Sequence, residues 1–178
     1  MKGIARACVA AVLVLSLAAA VRAQESKSSP LAKQLAAALD AAKLDSAAAS
    51  DPANADVFVA ALYFPGQLLV VSAKYSAPAL LRERLVKKEY RDVYLDLNSA
   101  SVAGTKIFIE DPRADGLTAK PTDGPPDAYE VAGKRTAFDS DWKKQNLSED
   151  DYMKAFSAAD ERYSQLLMAL LAQLKKTS

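Results

Sequence analysis

Eight residues that are apolar at both parities of an extended chain constrain this sequence more than anything else in it. Val57-Phe-Val-Ala-Ala-Leu-Tyr-Phe64 offers no polar face, so as a strand it must be covered on both sides, either centrally in a sheet or in a barrel wall. Pro65-Gly66 follows at once, with proline presetting φ at the first corner and glycine supplying the positive φ of the second. Residues 67–75 return as a second strand, with Leu69, Val71, Ala73 and Tyr75 on one face and Leu68, Val70, Ser72 and Lys74 on the other. A hairpin is therefore expected. Ser76 is placed to cap a helix running to about residue 90, residues 92–98 alternate so that Val93, Leu95 and Leu97 face a core, and residues 105–110 close the unit as a further strand.

Ahead of this unit, Lys2 and Arg6 precede an apolar run over residues 7–21 that ends in Val21-Arg-Ala23. The run is shorter than the roughly 20 residues of a membrane span, and its small residues suit cleavage before Gln24. Residues 1–23 are thus expected to be a signal peptide, and the mature chain to be exported, periplasmic or secreted, with no membrane span of its own. Of the 178 residues, 155 then remain, with 20 basic against 22 acidic side chains, a net charge of −2. A chain so balanced lacks the basic surface that nucleic-acid binding requires. Histidine is absent, and the single cysteine, Cys8, lies in the leader. Ser-His-Asp and Cys-His catalysis, the usual zinc and copper sites, imidazole- or thiolate-held haem and disulfides are all excluded from the mature chain on composition.

Residues 24–55 are expected to hold an N-terminal helix and a linker. Ser29-Pro30 reads as N-cap and first helical residue. Leu31, Leu35 and Leu39 form a narrow stripe among alanines, the pattern of a helix lying on a surface, and residues 45–56, rich in Ala, Ser and Asp around Pro52, read as the linker. Between residues 111 and 139, prolines and glycines dissolve the pattern apart from short strand fragments at 129–131 and 136–138. Ser148-Glu-Asp-Asp151 then opens a helix of about 27 residues with Tyr152, Phe156, Ala159, Tyr163, Leu166, Leu167, Leu170 and Leu174 on one face and Lys175 and Lys176 at its end. The acids at 110, 111 and 115, and those at 139, 141 and 149–151, do not follow the spacing of a calcium loop, so no metal site is expected.

The order of hairpin, helix, strand, strand and long C-terminal helix over residues 58–117 and beyond resembles the FMN-binding split barrel of the pyridoxamine 5′-phosphate oxidase-like group. Ser72 stands where that group ends a strand in a small hydroxyl residue, Ala79-Leu-Leu-Arg-Glu-Arg-Leu85 resembles its helix, and residues 91–97 the strand that follows. The resemblance implies an α+β fold, mainly a β barrel or sheet with flanking helices, over residues 56–178. It also implies a phosphate grip for FMN among Ser72, Lys74, Ser76, Arg82 and Lys106, the first base in the helix being Arg82. Split barrels commonly pair, and the two-faced strand and long tail ask for extra cover, so a symmetric homodimer using the sheet and residues 167–174 is expected. The function expected is non-catalytic binding of a small ligand or partner, with no resident cofactor; the alternative is a flavin-dependent oxidoreductase.

The alternation over residues 92–98 gives a direct test. Val93→Ala and Leu95→Ala are expected to cost about 1–5 kcal/mol and Asp96→Ala less than about 0.5 kcal/mol. Equal losses in the three urea midpoints would remove the strand register.

Overall fold

The computed structural model describes residues 26–52, 54–75, 83–84, 87 and 102–177. The leader expected at 1–23, most of the helix expected at 76–90 and the strand expected at 92–98 lie outside the described residues. Within them the chain runs α1 (Ser28–Ala42), β1 (Ser46–Asp51), β2 (Asn54–Phe64), β3 (Gln67–Tyr75), β4 (Val102–Asp111), β5 (Asp127–Val131), β6 (Lys134–Phe138) and α2 (Glu149–Thr177). The six strands form one antiparallel sheet in sequence order, each paired with the next, and the sheet stays open with β1 and β6 at its edges. The molecule is therefore α+β. None of its described helices is long and apolar enough to cross a membrane.

The hairpin forms as its residues demand. Phe64 pairs with Gln67 across Pro65-Gly66, and the ladder continues to Val57 opposite Lys74. Val59, Ala61 and Tyr63 of β2, with Leu68 and Val70 of β3 and Ile109 of β4, face a core that the two helices share. The other parity, Phe58, Ala60 and Leu62 with Val71 and Ala73, is buried as a second cluster. Both faces of β2 are thus covered, as its lack of a polar face requires.

Three expectations change. Residues 45–56 are not a linker, since Ser46–Asp51 pairs along β2 from Leu62 to Phe58 before a shift in register at Ser50 and Asp51. Alternation decides this: Ala47 and Ala49 are buried and Ser50 is exposed, so small residues take one face of a strand that packs closely beneath α2. Secondly, α1 does not merely lie on a surface. Ala32, Leu35 and Leu39 are fully buried in the principal core, each leucine contributing about 2 kcal/mol of burial. Thirdly, much of the tail's apolar face finds its cover inside the fold: Leu166, Leu167 and Leu170 are fully buried within the one chain.

The tail helix starts where its capping box placed it, with the Asp151 amide donating to Ser148 Oγ at 3.1 Å. Phe138 at the end of β6 meets Tyr152 and Phe156 edge-on, ring centres 5.9 and 5.3 Å apart, and so docks the start of α2 on the sheet. By contrast, α1 begins at Ser28 with Lys27 as its N-cap and no capping bond from its own side chain. Its end is a Schellman turn: Lys43 is left-handed at φ 54°, and the Lys43 and Leu44 amides donate to the Asp40 and Leu39 carbonyls at 3.0 and 2.9 Å.

The β5–β6 hairpin turns on Ala132 and Gly133, at φ 52° and 79°, the primed geometry that matches strand twist. Alanine pays for the left-handed conformation at the first of these positions. Ala132→Asn is expected to raise stability by up to about 1 kcal/mol, read as a higher urea midpoint at unchanged slope.

Candidate functional site

The structure scatters the residues expected to grip a phosphate. Ser72 is buried on the helix-facing side of β3, and its hydroxyl donates to Asp51 Oδ2 at 2.9 Å. The same carboxylate oxygen receives the Arg162 guanidinium from α2. Ser72 pairs with Ile107 of β4, so the next residue, Lys106, leaves the opposite face of the sheet from Ser72. Lys74 lies beyond a register shift in the same ladder and is exposed. Ser76 and Arg82 lie outside the described residues. Ser72 is buried with its hydroxyl committed to Asp51, and Lys106 leaves the other face, so these residues do not converge on the phosphate end of FMN.

Buried carboxylates instead organise the ground between the sheet and the start of α1. Asp111 ends β4 and Asp127 begins β5, and both are fully buried at the two ends of the proline-rich loop. Asp111 accepts from the Asp115 and Gly116 amides at 3.1 and 2.8 Å and from the Tyr163 hydroxyl at 3.1 Å. Asp127 accepts from the Thr118 amide at 2.7 Å and pairs with Arg113. Arg113 also donates to Thr122 Oγ1 at 3.0 Å and the Pro125 carbonyl at 3.1 Å, gathering the loop from inside. The loop then touches α1: the Leu117 amide donates to Ser28 Oγ at 2.9 Å. At Gly116, φ 90°, an added Cβ would sit 2.4 Å from Ser29 Cα, so only glycine permits this approach. Asp160 of α2 completes the arrangement, accepting from the Lys27 and Ser28 amides at 2.7 and 3.0 Å and from the Ser26 hydroxyl at 2.7 Å.

Burial sets the acidity of this cluster. It pushes Asp127 up from the usual 3.8 to about 7, against the opposing pull of the Thr118 amide and Arg113. Burial also raises Asp111, while the Gly116 and Asp115 amides and Tyr163 hold it down. Tyr163 is driven well above the ordinary tyrosine range by burial and by the Asp111 charge. Every one of these carboxylates is engaged in holding backbone or side-chain donors, which is the work of fold maintenance. No group of three or more metal-ligating side chains occurs among the described residues.

At the opposite end of the helices lies a groove of about 560 Å3, lined by Gln34, Ala38, Ala42 and Leu44 from the first helix and its turn and by Leu171, Leu174 and Lys175 from the last. Leu44 remains 41 % exposed beside it. Sequence reasoning missed both this groove and the Asp51–Arg162 and Asp160 contacts. One signal was present: Asp160 falls on the apolar stripe of the tail between Phe156 and Tyr163, and a charge at a core position demands a buried partner. The groove had no such signal, because alanines that line a trough and alanines that face solvent read alike.

Compared with known proteins, the chain matches no family model, no curated protein and no solved structure.

The raised Asp127 predicts a pH dependence whose sign is fixed. The folded chain holds a proton there that the unfolded chain releases above its value near 3.8, so stability declines as pH rises from about 4 to about 7 and stays at the lower level above that window. Urea midpoints measured between about pH 5 and pH 8 are expected to fall, and the slope to flatten in Asp127→Asn.

Proposed function

We propose that this chain is an exported, non-catalytic binding protein, its open sheet a split-barrel-like scaffold and its helical layer the part that receives a small ligand. The observation that carries the reading is the groove between the two helices, whose volume of about 560 Å3 falls within the roughly 300–1,000 Å3 of small-molecule sites and whose lining is mostly apolar with two polar side chains. Export rests on the charged, apolar and small-residue segments of positions 1–23. The non-catalytic character is supported by the commitments of the buried acids. Asp51, Asp111, Asp127 and Asp160 each hold donors from other elements, and all four are buried, out of hydrogen-bond reach of a substrate in solvent. The flavin-dependent alternative is disfavoured by the burial of Ser72 with its hydroxyl committed to Asp51 and by the placement of Lys106 on the other face.

Native mass spectrometry of protein recovered from the exported fraction tests this. A small-molecule adduct is expected that Ala42→Phe removes, with no flavin band in the visible spectrum. Stoichiometric flavin, or an adduct indifferent to Ala42→Phe, would overturn the reading.

A further inference from the structure

We infer that the groove takes a linear aliphatic carboxylate, its chain along Gln34, Ala38 and Ala42 and its head group on the Lys175 ammonium; this rests on the ligand-binding reading above. Gln34, Ala38 and Ala42 follow at intervals of four, so α1 supplies a single stripe about 12 Å long at 1.5 Å per residue. Its two alanines project one methyl each, and across them stand the branched side chains of Leu171 and Leu174. The result is a trough running with the helix axes, the shape of a methylene chain. Both helices run the same way, with Ser28 bonded to Asp160, and that offset of 132 residues sets Ala42 level with Leu174 and Lys175.

The charge at that end selects the head group. Lys175 lines the groove and Lys43 follows Ala42 on the turn, and neither forms an ion pair among the described residues. Both helices also finish here, so their last carbonyls carry partial negative charge that the two ammonium groups offset. The nearby acid of α1, Asp40, accepts the Tyr63 hydroxyl at 2.8 Å and is occupied on the sheet side. An anionic head thus forms an ion pair with the Lys175 ammonium at one end of the trough, which a neutral head does not.

Calorimetric titration of dodecanoate, dodecanol and dodecylammonium, each below its micellar concentration, into the exported chain tests this, beside Lys175→Glu and Ala42→Phe. Dodecanoate is expected to bind one to one and about tenfold tighter than dodecanol. Lys175→Glu is expected to reverse the order in favour of dodecylammonium. Ala42→Phe is expected to abolish all three titrations at an unchanged urea midpoint, since Ala42 is exposed. Equal binding of the acid and the alcohol, both lost in Ala42→Phe, would overturn the carboxylate and leave the groove as the binding site. Titrations unaffected by Ala42→Phe would overturn the groove reading together with the ligand. A doubled mass by light scattering that Ala42→Phe returns to one chain would assign the groove to a second copy and overturn both.

Discussion

The bond on which this structure turns joins its two ends: the Asp160 carboxylate, on the last helix, caps the first. The opening amides of a helix have no partner within it and carry the positive end of its dipole, so a buried carboxylate set against them gains both hydrogen bonds and field. Asp160 meets Lys27 and Ser28 at 2.7 and 3.0 Å, and α1 has no capping side chain of its own to compete. Register between α1 and α2 follows from this contact, and with it the burial of Leu35 and Leu39 against Leu166, Leu167 and Leu170.

The same region shows how the chain accommodates a long proline-rich loop without regular structure. Backbone amides that no ladder satisfies must find acceptors, because each one left dry costs about 1–3 kcal/mol. Asp111 and Asp127 stand at the two strand ends bounding the loop and accept from the amides of 115, 116 and 118, while Ser28 accepts from 117. Asp111 and Asp127 are thus internal caps for a segment that lacks its own.

Packing the helices side by side leaves a groove at their other end. Near Asp160 the gap between them is closed by polar contacts; toward Ala42 the small side chains of Ala38 and Ala42 stand opposite Leu171 and Leu174, and a trough remains. Closure at one end and opening at the other come from the same parallel arrangement and from the size of the side chains along it.

The hairpin, the tail helix with its capping box, and the strand before the loop were legible in the sequence because each is specified locally: period-2 apolar alternation, a Pro-Gly corner, a Ser-x-x-Asp start and an apolar stripe of period 3.6. Strand β1 was not, since Ser-Ala-Ala-Ala-Ser carries too little contrast between its faces for alternation to show, and only the neighbouring β2 makes it a strand. The capping of α1 lay in a partner 132 residues away, and Ser29, the local candidate, yielded to it. Ser72 matched a phosphate-gripping position by type alone, and tertiary structure gave its hydroxyl to Asp51 and sent Lys106 to the opposite face. Composition by itself settled which chemistries a chain without histidine, and without cysteine beyond position 8, leaves open. Which carboxylate holds which amide, and where a groove stays open, was decided only by folding, because those depend on distances between segments that no local pattern encodes.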